Sequence, residues 1–455
     1  MPAKNLEGRY DLIVVGSGTA GAAAATKTAA HGWRVAVVDD LPYGGTCALR
    51  GCDPKKILRR GAEVVDAARL LRGKGIDDDG LSINWADLMK HKQGFTDPMP
   101  HRIETSLERS GVVTLHGPAS FQGPTQLAVG NEVLTGDRFL VATGAHPRPL
   151  DFPGAEHLVD STQFLDLDAL PARILFVGGG FISFEFAHIT ARTGSSPIIV
   201  DHGPRPLKSF DPDLVDLLLE RSHDVGIRTW QSTAVTAVEP AGAGYRVHVE
   251  HDGRPEVLDV DLVVHGAGRQ PDLARLDLDA AGAAWTTRGV TVADHLRSTT
   301  NPAIYAAGDA ADSAGMPLTP VAAAEGKVVA SNMLHDTTTA PDYTGIPTAV
   351  FTIPELTRVG LLEHEARDQG IDLDVRYTDT SGWYSNYRLA ETTAAVKILV
   401  DRATDHIVGA HLLGPEYAEL VNTFGMAMKL GLTTRQLRSM TATYPTVGSD
   451  LGSML

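Results

Sequence analysis

The chain has 455 residues, of which 43% are apolar and 21% are charged, a composition typical of a globular protein with two to four domains. Its net charge of −16 argues against nucleic acid as a partner, and the lack of a long apolar stretch argues against a membrane. The chain has only two cysteines and shows no signal peptide before its first apolar stretch, so the predicted location is cytoplasmic.

A complete dinucleotide-binding pattern begins at Tyr10. Leu12 to Val15 predict a buried strand, a GxGxxG turn follows, and an alanine-rich helix then runs to about Ala30. Glycines at this spacing let backbone amides approach a pyrophosphate, and an acid at the end of the next strand accepts hydrogen bonds from a ribose. The candidate binding residues here are Gly16, Gly18, Gly21 and Asp39.

Both cysteines lie in GGTCALRGCDPKK, residues 44–56. Five residues of helix rise about 7.5 Å, which exceeds the usual Cα separation of a disulfide. A Cys47–Cys52 bridge therefore requires an irregular turn, which Gly51 permits. Asp53 is predicted to cap the next helix, and the alternative is that its like charge raises the pKa of Cys52. Two cysteines in so long a chain favour one redox couple over two unrelated thiols. A metal site is disfavoured because no CxxC motif or histidine cluster is nearby.

The strand, turn and helix pattern recurs in the middle of the chain. Ile174 to Val177 predict a strand, Gly178 to Ser183 a turn, and Phe184 to Arg192 a helix. The same number of positions separates Gly16 from Asp39 and Gly178 from Asp201, so the sequence predicts two bound dinucleotides rather than a glycine turn that serves only packing.

The remaining chain alternates further strands and helices. Short strands are predicted to end at the small residues Thr143–Gly144 and at Gly308–Asp309. The proline-bounded stretch from Pro341 to Pro347 reads as a linker into a last domain. That domain is predicted to contain strands at Ala395–Val400 and Ile407–Leu413 and helices at Glu416–Leu430 and Thr434–Ser439.

Over nearly its whole length the chain resembles the class I flavoprotein disulfide reductases (pyridine nucleotide-disulfide oxidoreductases), which include glutathione reductase, dihydrolipoamide dehydrogenase and mercuric reductase. The resemblance implies an α/β fold with two Rossmann-like dinucleotide-binding domains, for FAD and NAD(P), and a C-terminal α+β dimerisation domain. The implied ranges are 1–150 and 271–340 for the FAD domain, 151–270 for the NAD(P)H domain and 341–455 for the dimerisation domain.

The resemblance also assigns roles to single residues. It implies that Cys47 faces the substrate and Cys52 lies against the flavin, while Lys55 and Glu185 form a buried ion pair beside the ring. It places FAD on the first glycine unit, and the nicotinamide dinucleotide on the second unit together with Arg269. The further cofactor-binding candidates are Thr46, Thr143, Gly144, Gly178, Gly180, Asp201, His202, Lys208, Arg269, Gly308, Asp309, Thr319 and Pro320.

The choice between NADH and NADPH depends on the second unit. Asp201 lies where NAD-dependent relatives place an acid that holds both ribose hydroxyls and would repel a 2′-phosphate. NADP-dependent relatives place arginines at and beyond the next position, where this chain has His202, Arg205 and Lys208. The sequence therefore favours NADH, and an enzyme of dual specificity is the alternative.

The C-terminal tail departs from the family pattern. A His-Pro-Thr motif with a later glutamate usually serves the substrate-facing cysteine of the other subunit in a homodimer. Here Tyr444 replaces the histidine and Ser449 occupies the place of the glutamate, with Asp450 beside it. A phenol does not form the cation that an imidazole forms near neutral pH. Tyr444 is therefore predicted to donate a hydrogen bond to Cys47 or to substrate without forming an ion pair.

These observations predict an FAD-dependent NAD(P)H oxidoreductase whose Cys47–Cys52 disulfide reduces a small disulfide or another thiolate-reactive substrate. The main alternative is a reductase of metal ions, quinones or other electrophiles, similar to mercuric reductase but without its C-terminal cysteine pair. A third possibility is a dihydrolipoamide-dehydrogenase-type component that docks in a larger complex. No resident metal is predicted, and the expected partners are a small-molecule oxidant and a second copy of the chain.

Overall fold

The computed structural model describes residues 8–455 and divides them into two compact units. The first unit consists of residues 8–56, Lys90–Arg148 and Arg269–Tyr343. The second consists of Ile57–Met89, Pro149–Gly268 and Thr344–Leu455.

A seven-stranded sheet forms the centre of the first unit. In spatial order its strands are Val113–His116, Val35–Asp39, Arg9–Val15, Glu132–Val141, Gln126–Val129 and Ala119–Gly123, with Ile304–Ala306 also paired to Glu132–Val141. The pairings among the first four strands and with Ile304–Ala306 are parallel, and the last two strands pair antiparallel. The smaller pairings join Ala145–Pro147 to Arg269–Pro271, and Gly289–Thr291 to both Trp285–Thr286 and Ala311–Asp312.

Both faces of this sheet are covered, one by helices and the other by strands and loops, because its central strands are apolar on both faces. Along the first strand, Leu12 and Val14 pack in one buried cluster with the helices, while Ile13 and Val15 belong to a second cluster. The helices are Thr19–Ala29, Gly45–Arg50, Met99–Arg109 and Thr319–His335, together with the start of Cys52–Leu70 and the end of Trp85–Thr96.

The second unit contains another parallel sheet, in the order Arg228–Trp230, Ser196–Val200, Arg173–Val177 and Leu262–His265. An antiparallel meander of Thr233–Ala241, Gly244–His251 and Arg254–Val260 lies beside it. The helices of this part are Ser161–Phe164, Phe181–Thr193 and Pro212–Asp224, with a 3-10 turn at Ala155–His157.

The C-terminal part of the second unit is a five-stranded antiparallel sheet with helices. Its strand order is Thr348–Val350, Glu355–Gly360, Ile407–Gly414, Ala395–Asp401 and Leu373–Asp379. Its helices are Glu363–Asp368, Tyr384–Tyr387, Tyr417–Leu430, Thr434–Arg438 and Leu451–Met454, preceded by a 3-10 turn at Val447–Asp450. The α/β class and the α+β character of the C-terminal part are confirmed.

Two predicted helix starts were wrong. The helix after the second glycine turn begins at Phe181 rather than at Phe184, so it is longer by almost one turn. The helix after the cysteines begins at Cys52, which places Asp53 in its first turn instead of at its cap. The meander and the helix Pro212–Asp224 were not predicted. Across residues 8–455 no helix has both the length and the hydropathy needed to cross a bilayer.

Candidate active site

The first glycine turn leaves no room for side chains where the chain reverses. Gly16 has φ = +106°, and its N–H donates to the carbonyl of Val38 at 2.8 Å. A Cβ on Gly16 would lie 2.3 Å from the carbonyl oxygen of Ala142, and one on Gly21 would lie 2.0 Å from that of Gly16. A Cβ on Gly18 would find its nearest atom, the Gly45 Cα, at 3.8 Å, an ordinary van der Waals contact, so this position is less crowded than Gly16 and Gly21. The turn therefore leaves a cradle at the start of Thr19–Ala29, where a pyrophosphate fits.

Asp39 is anchored to the same turn. Its carboxylate accepts hydrogen bonds from the Ser17 N–H at 2.8 Å and the Ser17 hydroxyl at 2.6 Å, and from the Leu41 N–H at 3.0 Å. The Ser17 Oγ in turn accepts a hydrogen bond from the Gly44 N–H at 3.0 Å. Ser17, which sequence reasoning passed over, thus connects the nucleotide turn to the segment that carries the cysteines.

Several further residues of the first unit fit a bound flavin nucleotide. The Thr143 Oγ is buried and has no hydrogen-bond partner among the described residues. The carboxyl of Asp309 is half-buried, and burial raises its pKa although the charge of Arg269 opposes the shift. A polar ligand at this place would satisfy Thr143 and Asp309, and the cradle at Gly18 would receive its phosphates.

Glu325 is a site residue that the sequence did not reveal. Its buried carboxylate accepts hydrogen bonds from the Gly308 N–H at 2.6 Å, the Ser313 hydroxyl at 2.8 Å and the Tyr343 hydroxyl at 2.7 Å. These contacts hold the loop that carries Asp309. The available signal was a glutamate within the mainly apolar helix Thr319–His335.

The second glycine turn has the same construction as the first. Gly178 has φ = +102°, and its N–H donates to the carbonyl of Val200 at 2.7 Å. A Cβ on Gly178 would lie 2.6 Å from the Ala267 Cα, whereas one on Gly180 would meet its nearest atom at 3.5 Å. The Ser183 Oγ near this turn is buried and has no hydrogen-bond partner among the described residues.

Asp201 is buried at the end of its strand, and its carboxylate faces the glycine turn: a Cβ on Gly179 would lie 2.7 Å from its Oδ2. The exposed His202 has its Nδ1 3.5 Å from the Asp201 Oδ1. Of the two basic residues that follow, Arg205 donates to Asp216 at 2.6 Å and to the Pro212 carbonyl at 2.9 Å. Lys208 is exposed, and its Nζ lies near Gly203 on the same side as Asp201.

The structure places Arg269 in the first unit. It begins the strand Arg269–Pro271, which pairs with Ala145–Pro147, and its guanidinium donates to the carbonyl of Ala145. Its charge acts on Asp309, as described above. Arg269 therefore lies within reach of the first nucleotide site.

A break between two helices brings the cysteines together. The helix Gly45–Arg50 carries Cys47, Gly51 interrupts it, and Cys52 is the first residue of Cys52–Leu70. A Cβ on Gly51 would lie 2.9 Å from the Thr46 carbonyl oxygen, so this break favours glycine. Both cysteines are free thiols, and they share a hydrogen bond. Thr319, at the start of another helix, lies with its Oγ 3.7 Å from the Cys52 Sγ.

The two thiols have opposite acidities. The hydrogen bond from Cys47, assisted by Thr319 and the charge of Lys55, lowers the pKa of Cys52 to about 6 against burial and the charge of Asp53. The same hydrogen bond, together with burial, raises the pKa of Cys47. Cys52 also begins its helix, a position that favours a thiolate. At neutral pH the pair is therefore a Cys52 thiolate that accepts a hydrogen bond from the Cys47 thiol.

Lys55 and Glu185 are both buried, each in its own unit. Lys55 lies in the first turn of the helix that starts at Cys52. Glu185 lies in Phe181–Thr193, and its Oε1 accepts a hydrogen bond from the Phe351 N–H at 3.1 Å.

The tail residues are arranged differently from an acid–base pair. Tyr444 is 78% exposed on the single chain. Ser449 forms a capping box with Thr446. The carboxylate of Asp450 accepts a hydrogen bond from the Ser385 hydroxyl. Neither Ser449 nor Asp450 is thus free to act as the missing glutamate. Within residues 8–455 no three His, Cys, Asp or Glu side chains form a cluster suited to a metal ion.

The sequence matches known proteins over nearly its whole length. Residues 10–326 match the family model described as pyridine nucleotide-disulphide oxidoreductase, and residues 346–454 match the dimerisation domain of that family. The chain is 30% identical to a glutathione reductase of Schizosaccharomyces pombe, over 98% of both proteins. It is 29% identical to a mercuric reductase of Staphylococcus aureus, over 98% of this chain and 82% of that protein.

The structure is also similar to solved structures of RclA from Escherichia coli, described as an HOCl-induced flavoprotein disulfide reductase. One of them is superposable with a TM-score of 0.87 at 28% identity, covering 98% of this chain and 99% of the other. A Cu(II) complex of the same protein gives a TM-score of 0.89 at 28% identity with the same coverage.

Proposed function

We propose, from the premise that the chain belongs to the pyridine nucleotide-disulphide oxidoreductase family, that it is an FAD-dependent NAD(P)H oxidoreductase with a redox-active Cys47–Cys52 couple. Its substrate is a small disulfide or another thiolate-reactive oxidant. The observation that carries the proposal is the hydrogen-bonded pair of sulfurs with opposite acidities. When bound, FAD supplies hydride acceptance from NAD(P)H and two-electron transfer to a disulfide.

The protein side of the reaction concerns the two sulfurs. Two electrons break the Cys47–Cys52 bond, and one proton goes to Cys47 while Cys52 stays a thiolate. The Cys47 sulfur then loses that proton, attacks a substrate disulfide and releases one substrate thiolate, which takes up the proton. The Cys52 thiolate attacks the Cys47 sulfur of the mixed disulfide and releases the second thiolate. The internal disulfide is restored, and the substrate has gained two electrons.

Tyr444 limits the rate of the step in which Cys47 attacks the substrate disulfide. In a homodimer, which the dimerisation domain supports, the tail of each subunit would complete the active site of the other. The Tyr444 hydroxyl can donate a hydrogen bond there, but it does not hold Cys47 as a thiolate through an imidazolium. The absence of a general acid or base commonly costs about 10²–10⁴ in rate. Disulfide turnover is therefore slow unless the leaving thiol needs no strong acid.

The raised pKa of Cys47 supports a second candidate function, the reduction of a soft metal ion or another electrophile. A thiophilic cation binds sulfur strongly enough to displace the thiol proton, so this reaction needs no histidine. The similarity to a mercuric reductase, and to a protein solved as a Cu(II) complex, supports Hg(II) or Cu(II) as the test ions. One NAD(P)H balances one Hg(II) reduced to the metal, or two Cu(II) reduced to Cu(I).

The proposed location is the cytoplasm.

NADH is the preferred reductant in this proposal. The buried carboxylate of Asp201 is suited to ribose hydroxyls and repels a 2′-phosphate. Arg205 is already engaged by Asp216, which leaves Lys208 as the nearby cation for a phosphate.

The decisive experiment is an anaerobic titration followed by an oxidant panel. NADH and NADPH are added to the FAD-loaded protein, and a long-wavelength thiolate–flavin band is expected in the wild type but not in Cys52→Ser. Glutathione disulfide, lipoamide, mycothiol disulfide, Hg(II), Cu(II) and quinones are then supplied one at a time. Full turnover by the Cys47→Ser/Cys52→Ser variant on every accepted oxidant would refute the proposal.

A further inference from the structure

The short segment 351–353 is held by one face of the helix that follows the second glycine turn. Glu185, His188 and Arg192 are three and four positions apart on Phe181–Thr193, so their side chains share a face. The Glu185 Oε1 accepts from the Phe351 N–H at 3.1 Å, and the His188 Nδ1 accepts from the Ile353 N–H at 3.1 Å. The guanidinium of Arg192 donates to the Ile353 carbonyl at 3.2 Å.

Arg59 binds the carbonyl groups of the same segment, whereas Glu185 and His188 bind its N–H groups. Its Nε donates to the Phe351 carbonyl and its Nη2 donates to the Thr352 carbonyl, both at 2.8 Å. Its guanidinium also lies 5.8 Å from the centre of the Phe351 ring, and it pairs with Glu63 and with Glu355. Only a planar fork of donors can serve two successive carbonyls in this way. Arg59 is buried, so water does not readily replace these bonds.

The groups behind the segment keep one protonation state near neutral pH. Because the His188 Nδ1 accepts a backbone N–H, the ring carries its proton on Nε2, which lies 3.0 Å from the Ser222 Oγ. Burial and the neighbouring arginines lower the pKa of His188 well below its ordinary value, so the ring stays neutral. Arg192 and Arg221 both bind the carboxylate of Asp66, and Arg221 also lies 3.6 Å from a carboxylate oxygen of Glu391, so two acids face the two cations. Substituting Arg59 is therefore the simplest way to weaken the hydrogen bonds that hold segment 351–353.

We propose that Arg59 is a positioning residue for Glu185: by holding the carbonyls of Phe351 and Thr352, it fixes the N–H that orients the Glu185 carboxylate. This inference rests on the proposed function, together with the role that the family resemblance implies for Glu185 as the acidic member of a pair beside the flavin. Without Arg59 the segment would lose two buried hydrogen bonds, and the Phe351 N–H that donates to the Glu185 carboxylate would no longer be fixed in position. A displaced carboxylate would no longer hold its position beside the flavin, and flavin reduction would become slower.

The test compares Arg59→Met and Arg59→Lys with Arg60→Met, because the Arg60 side chain is 76% exposed and its ion pair with Glu63 lies at the surface. Flavin reduction by NADH is followed anaerobically by rapid mixing. Small misplacements of positioning groups cost up to about 10²-fold in rate, and Arg59→Met should slow reduction about 10-fold on that scale. Arg59→Lys, which keeps the charge but offers no fork, should fall between Arg59→Met and the wild type. Arg60→Met should match the wild type.

Two further measurements distinguish a positioning role of Arg59 toward Glu185 from a general loss of protein stability. Arg59→Met should accelerate amide hydrogen exchange in a peptide covering 351–353, with or without bound FAD. In a double-mutant cycle, Arg59→Met combined with Glu185→Gln should be no slower than Glu185→Gln alone, within about 2-fold, because Arg59 acts through Glu185. Multiplied losses, or a wild-type reduction rate in Arg59→Met and Arg59→Lys, would overturn the inference. A wild-type flavin that neither NADH nor NADPH reduces would instead overturn the proposed function.

Discussion

Replacing Cys47 by alanine should raise the pKa of Cys52. The hydrogen bond from Cys47 is the largest of the influences that lower this pKa to about 6, ahead of Thr319 and the charge of Lys55. Alanine removes the donor and leaves the other two in place. The perturbation therefore isolates one interaction of the thiolate.

The size of the shift follows from the strength of that bond. A hydrogen bond to a charged group contributes about 1.5–3 kcal/mol, which corresponds to about one to two pKa units. Cys52 is exposed, so solvent screening puts the expected rise at the lower end, about one unit. At pH 7 the thiolate fraction of Cys52 would then fall from about 90% to about 50%.

The assay is the pH dependence of alkylation by iodoacetamide under reducing conditions. The chain has two cysteines, so in a Cys47 variant every alkylation event reports on Cys52. Cys47→Ser is the matched control because its hydroxyl can still donate a hydrogen bond, and its Cys52 pKa should stay below that of Cys47→Ala. Equal pKa values in the two variants, or a lower value in Cys47→Ala, would refute the reasoning.

Three other substitutions test separate parts of the site. Asp201→Ala should raise the KM for NADH far more than the KM for NADPH in steady-state assays, and equal increases would contradict the NADH preference. Tyr444→His combined with Ser449→Glu should raise disulfide turnover, because an imidazole returns while glutamate suits the same capping position; an unchanged rate would contradict the role given to the tail. Glu325→Ala leaves three donors without their acceptor, at a cost of about 1–3 kcal/mol for each buried donor, and should weaken FAD binding, measured by flavin fluorescence; wild-type affinity would contradict the role of Glu325.

Local pattern was enough to predict the nucleotide turns. Gly16 and Gly178 both adopt positive φ, and the N–H of each donates to the carbonyl of the residue just before the following acid. Such a turn depends on residues close in sequence and on the absence of a Cβ, both of which are visible in the chain. The break at Gly51 was predictable for the same reason.

Contacts between distant segments were not predictable from the same reasoning. Glu325 holds Gly308 and Tyr343, and Arg59 holds residues 351 and 352, yet the local sequence does not show which backbone groups either side chain binds. A buried charge becomes recognisable only when the fold shows which backbone groups it satisfies. The wrong cap at Asp53 has a local cause instead: the helix starts at Cys52, directly after the break at Gly51 and two residues earlier than a cap at Asp53 would place it.

The position of Thr319 explains how the chain can depart from the family in its tail and still hold a thiolate. Thr319 is far from Cys52 in sequence, but the fold sets its hydroxyl 3.7 Å from the Cys52 sulfur at the start of a helix. Cys47, Thr319 and Lys55 all act on Cys52 from within the same unit. Residues of its own chain therefore lower the pKa of Cys52 without an imidazole at residue 444. Replacing histidine by tyrosine there removes help from Cys47, whose pKa is raised, and so it bears on the substrate step rather than on electron acceptance.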